Sequence, residues 1–131
     1  MRILALDYGS ARVGCAISDP TETLVRPLAV LEPPAPDQIA ELVATHAVER
    51  VVVGMPVLMN GREGEQAETT RRFAAELERL LDVPVETYDE RLTTRMAEAS
   101  RAAGAEAPED ALAAAHLLEG YLASRQQGGD G

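Results

Sequence analysis

The chain has 131 residues, 46% of them apolar, and carries a formal net charge of -10. That length supports one domain with one core, and no run of 18 apolar residues exists that could cross a bilayer. The acidic balance excludes a broadly basic surface for nucleic acid, so any grip on a polyanion has to come from local chemistry.

In chain order, Arg2 to Asp7 reads as a short apolar strand that ends on a carboxylate, too short an apolar start for a secretory leader. Gly9-Ser10-Ala11-Arg12 reads as a hairpin turn, and Val13 to Ser18 as the returning strand, broken by Asp19-Pro20. The lone Cys15 lies in this apolar run, where it is expected to be buried; without an internal disulfide the chain fits a cytoplasmic location. Pro27 to Leu31 is a third strand, closed by Glu32-Pro33-Pro34-Ala35-Pro36. Asp37 to His46 has helical spacing, with Ile39, Leu42 and Val43 on one side. Val51-Val52-Val53 is a β-branched run of the kind found in strands buried on both faces.

The segment 58–64 contains Asn60-Gly61 and Gly64 and reads as a mobile loop. An amphipathic helix is predicted from Glu65 to Leu81, packing through Phe73, Leu77, Leu80 and Leu81. Val83 to Tyr88 is the fifth strand, meeting Asp89-Glu90. Thr93 to Ala103 reads as a helix stopped by Gly104. Pro108 opens a last helix to about Arg125, with Ala111, Ala115, Leu118 and Leu122 as its packed stripe. The domain is expected to span 1–125, with a disordered tail over 126–131. Hairpin strands followed by alternating β and α units predict an α/β fold: a mixed sheet with helices on both faces.

Three acids stand out by position. Asp7 ends the first strand, Glu90 follows the fifth, and Asp110 begins the last helix. Ligands of open α/β sheets gather where strand ends meet helix starts. Carboxylates converging there need a neutralising cation, and Mg²⁺ or Mn²⁺ suits hard oxygen ligands. Two such ions about 3.5–4 Å apart can clamp a phosphodiester, so an acidic site can still bind a polyanion. On the residue pattern alone, the same acids would serve equally as an Asx turn at Asp7 and a helix-dipole partner at Asp110. All twelve cationic side chains are Arg, whose planar fork binds two phosphate oxygens at once.

The strings Asp7-Tyr8-Gly9-Ser10-Ala11-Arg12-Val13-Gly14, Val52-Val53-Gly54-Met55-Pro56 and Tyr88-Asp89-Glu90-Arg91-Leu92-Thr93 resemble the YqgF (RuvX) family. The stretch from Asp110 through His116 to Leu122 does so too, and the four motifs come in family order. The resemblance implies a ribonuclease H-like fold with a five-stranded sheet whose first three strands are antiparallel. It also implies a cytoplasmic, metal-dependent nuclease that processes the 5′ end of pre-16S ribosomal RNA. Asp7, Glu90 and Asp110 match the family's catalytic metal ligands, and Arg12 and Arg91 match arginines placed to hold substrate phosphates. The alternatives are a Holliday-junction resolvase and a non-catalytic nucleic-acid-binding module. The junction-cutting alternative carries the expectation of a homodimer, because two symmetric cuts need two sites.

One departure is plain: Gly104-Ala105-Glu106-Ala107-Pro108-Glu109 has no positive charge, where family members often carry several. Asp89 and Glu90 would point to opposite strand faces, and the resemblance selects Glu90. His116 lies about 240° around the helix from Asp110, which favours an exposed or packing role over a general base.

Overall fold

The computed structural model describes residues 1–56, 64–89 and 109–127. Eight elements are defined there: β1 (Ile3–Tyr8), β2 (Val13–Ser18), β3 (Val25–Leu31), α1 (Pro36–Thr45), β4 (Arg50–Met55), α2 (Glu65–Leu80), β5 (Val85–Asp89) and α3 (Glu109–Gln127). The expected helix from Thr93 to Ala103, the expected loop from Leu58 to Gly64 except for Gly64 itself, and residues 128–131 lie outside the described residues. The last helix runs two residues past the expected end at Arg125.

The five strands form one sheet in the order β3-β2-β1-β4-β5. β1 pairs antiparallel with β2, and β2 with β3. β4 is parallel to both β1 and β5. The first three strands are therefore antiparallel, as the sequence predicts, and the carboxyl ends of β1, β4 and β5 share one edge.

Strand alternation sorts the core into two layers. Leu4, Leu6, Val13, Cys15, Ile17, Val51 and Val53 pack against Ile39 of α1 and Phe73, Ala74 and Leu77 of α2. Ile3, Ala5 and Val52 point the other way, onto Leu117, Leu118, Tyr121 and Leu122 of α3. Ala16 meets Ala114 and Ala115 on that same second face. Helices thus cover both faces, and α3 crosses β1, β2 and β3.

Two local expectations are revised and a third is narrowed. β3 begins at Val25 rather than Pro27. Pro27 is tolerated because β3 is an edge strand, and the register shifts between Cys15 and Ala16, opposite it. Leu80 is 47% exposed rather than packed. Phe73, Leu77 and Leu81, spaced four apart, carry the contact and leave Leu80 on its flank. His116 is buried, which leaves the packing role of the two expected for it.

Candidate active site

The hairpin places the first acid. Ile3, Ala5 and Asp7 alternate toward α3, while Tyr8 turns to the opposite face and stacks on Phe73 with ring centroids 4.4 Å apart. Asp7 therefore stands on the α3 face at the carboxyl end of β1. The turn closes as the Gly9 amide donates to the Arg12 carbonyl at 2.8 Å. It returns the chain so that Gly14 pairs with Asp7 across the ladder.

The first turn of α3 places the second acid. Asp110 lines a cavity of ≈ 330 Å³ together with Asp7, the turn from Tyr8 to Arg12, and Gln66. The amino end of a helix is its positive pole, which favours anionic groups beside it. Arg12 joins the two sides of the cleft: Nη1 lies 3.6 Å from Asp110 Oδ2 and Nη2 lies 3.6 Å from Glu32 Oε2. Asp7 and Arg12 thus share one opening with Asp110, which is distant from both in the chain.

Glu90 and Arg91 lie outside the described residues. The strand that leads to them is in place, since Glu86 and Tyr88 of β5 face the α3 layer, where Tyr88 packs against the second core cluster. Between β1 and β5 runs β4, whose Gly54 pairs with Tyr88. Position 54 shares a face with Val52 and carries no side chain, so nothing from β4 stands between Asp7 and β5.

Two contributors carried no signal the sequence reading used. Gln66, in the first turn of α2, donates from Nε2 to the Tyr8 carbonyl at 3.4 Å. Gly54 enters the sequence only as part of the motif Val52-Val53-Gly54-Met55-Pro56, with no role of its own. A glycine inside a strand marks a place where something must come close or a side chain must be missing, and that rule would have found Gly14 and Gly54.

Asp7 and Asp110 offer hard carboxylate oxygens, the donors that Mg²⁺ and Mn²⁺ take. Among the described residues no three His, Cys, Asp or Glu side chains converge. Two described acids at one opening fit such an ion as part of a set and need a third ligand to complete it.

Comparison with known proteins decides the family. The RuvX profile, described as Holliday junction resolvase, matches residues 1–124. The chain belongs to the RuvX family. A RuvX relative from Chloroflexus aurantiacus, named "Putative pre-16S rRNA nuclease", is 42% identical over 95% of this chain and 88% of its own length. A relative of the same name from Anaeromyxobacter is 43% identical over 95% of this chain and 98% of its own. Among solved structures, Thermus thermophilus RuvC in complex with a Holliday junction substrate superposes with a TM-score of 0.66 at 18% identity, covering 95% of this chain and 96% of that one. The fowlpox virus Holliday junction resolvase gives 0.57 at 14% identity, covering 95% of this chain and 100% of that one. These likenesses show that the RuvX chain has the ribonuclease H-like fold of the RuvC-type resolvases.

Proposed function

We propose that this RuvX-family chain is a metal-dependent nuclease that hydrolyses phosphodiester bonds in structured nucleic acid, with the 5′ region of pre-16S ribosomal RNA as its substrate. The single observation that carries the reading is the shared opening of Asp7, Arg12 and Asp110 at the carboxyl edge of the parallel strands. The names of its relatives support the RNA substrate.

In this reading Asp7, Glu90 and Asp110 hold Mg²⁺ or Mn²⁺. The ions, when bound, activate water and stabilise the leaving oxygen of an in-line displacement. The protein's own part is placement. The β1–β2 ladder holds Asp7, the first turn of α3 holds Asp110, and Glu90 stands two positions beyond Tyr88 in sequence. Arg12 balances Asp110 across 3.6 Å and, once a cation takes over that role, its fork is available for a substrate phosphate. Arg91 is assigned the same task from its place beside Glu90. The acidic stretch before Asp110 adds no attraction, so binding relies on these local contacts and on substrate shape.

A second substrate, a four-way DNA junction, is favoured by the family's description and by the fold. It would make the chain a homodimer presenting two sites. The test is cleavage of synthetic pre-16S leader RNA and of a four-way junction, each with Mn²⁺ or Mg²⁺, by wild type and by Asp7→Asn. Wild type cuts one of them only with the metal present. Asp7→Asn keeps the fold and loses cleavage, because the change removes a charge at nearly constant size. Cleavage by Asp7→Asn at the wild-type rate would reject the assignment.

A further inference from the structure

Gly14 lies inside β2, where a glycine weakens a strand instead of supporting it. Its presence has a steric cause. A Cβ at this position would lie 2.0 Å from the Asp110 carbonyl oxygen, 2.4 Å from the Asp110 carbonyl carbon and 3.0 Å from the Ala111 nitrogen. All three are main-chain atoms of α3, so no side-chain rotation relieves the clash. Ala16, the next residue of β2 on that face, meets Ala114 and Ala115 through side chains. At Gly14, by contrast, the strand faces main-chain atoms at the start of the helix. Gly14 is also the ladder partner of Asp7.

We infer that Gly14 is a positioning residue for the metal-binding acids: its missing Cβ lets the first turn of α3 settle against β2 and so sets the separation of the Asp7 and Asp110 carboxylates. One glycine is registered to both, to Asp7 through the strand ladder and to Asp110 through direct contact. The inference rests on the nuclease reading above. An alanine at position 14 needs ordinary contact of about 3.4 Å in place of 2.0 Å, so the first turn of α3 retreats by about 1.4 Å. A misplacement of about 1 Å in a catalytic constellation costs on the order of 10²-fold in rate. Supports of this kind typically change metal affinity by about 10–100-fold.

The experiment compares full-length wild type, Gly14→Ala, Gly14→Ala/Asp110→Glu and Leu118→Ala. Readouts are Mn²⁺ binding by calorimetry, thermal melting, and kcat and KM for whichever nucleic acid the wild type cuts. Leu118→Ala removes a fully buried side chain from the same helix, about two turns beyond Asp110. It lowers the melting temperature and leaves Mn²⁺ affinity unchanged. Gly14→Ala melts no lower than Leu118→Ala, yet binds Mn²⁺ at least about tenfold more weakly. Its kcat falls on the order of 10²-fold with KM nearly constant, the pattern of a loss felt at the reacting centre. The longer Glu of the double variant bridges the retreat and recovers part of the lost Mn²⁺ affinity, which a purely structural glycine would not allow. Gly14→Ala that matches wild type in Mn²⁺ affinity and kcat overturns the inference and leaves the nuclease reading standing. A Gly14→Ala chain that does not fold also overturns it, since the glycine would then serve stability alone. A wild type that binds no Mn²⁺ and cuts neither substrate overturns both.

Discussion

Arg12 and Asp110 face each other across the cleft at 3.6 Å, tying the turn after β1 to the first turn of α3. The arginine is half-exposed and also reaches Glu32 at 3.6 Å. Exposed pairs of this kind contribute about 0–1 kcal/mol, so stability cannot be the main reason for the residue. Arg12→Ala is therefore expected to melt close to wild type while KM for nucleic acid rises. If Arg12 takes one phosphate, the slope of log affinity against log salt falls by about 0.7–0.9. Filter binding across a salt series reads that slope, and an unchanged slope removes Arg12 from the substrate contacts.

At the other end of the sheet a polar cluster fastens α3 without touching the site. The Tyr121 hydroxyl donates to Glu86 Oε1 and accepts from Arg50 Nη1 at 3.0 Å, and Arg50 pairs with Glu86 at 3.3 Å. Burial pushes the Tyr121 hydroxyl's pKa up, and its hydrogen bond to Glu86 adds to the shift. Tyr121→Phe deletes the hydroxyl but keeps the ring that meets Tyr88 edge-on at 5.7 Å. We expect a loss of about 1 kcal/mol in urea unfolding, with cleavage per folded molecule unaltered. A fall in kcat without a fall in stability would contradict this division between the two ends.

The turn between β2 and β3 has its own pH signature. Asp19 accepts from the Thr21 hydroxyl at 2.7 Å and from the Leu24 and Thr23 amides at 3.0 and 2.9 Å. These bonds, the Thr21 bond foremost, hold its carboxyl well below the ordinary value of 3.8. A carboxyl depressed in the folded state adds stability that is complete above its unfolded pKa and is lost as the pH falls below it. The difference in melting temperature between wild type and Asp19→Ala should stay level between about pH 8 and pH 5, then shrink below about pH 4. A difference that grows on acidification would reverse the sign and refute the assignment. The carboxylate is exposed, so the effect is small.

Much of this architecture could be read directly from residues, and the gaps have physical causes. β2 was predicted over its full length because Asp19-Pro20 stops it and the Gly9 turn starts it. The triple valine marked β4 as a strand buried on both faces, and all three valines are fully buried. Asp7 and Asp110 were singled out by position, and the fold does bring them to one opening. Pro27 hid the true start of β3, since a proline reads as a boundary until the strand is known to be an edge. Gln66 gave no signal, because a glutamine in a helix's first turn looks like any solvated residue until the Tyr8 carbonyl is placed beside it. Gly14 belongs to a motif, but its contact with Asp110 spans 96 positions and becomes visible only once α3 is laid on the sheet.

The proposed nuclease chemistry requires Asp7 and Asp110 to share a divalent cation. The direct measurement is anomalous diffraction from crystals of the full chain grown with Mn²⁺. The expected result is a manganese peak about 2.1 Å from a carboxylate oxygen of each residue, with a Glu90 oxygen completing the set. Manganese bound elsewhere on the protein, with none between these two carboxylates, would contradict it.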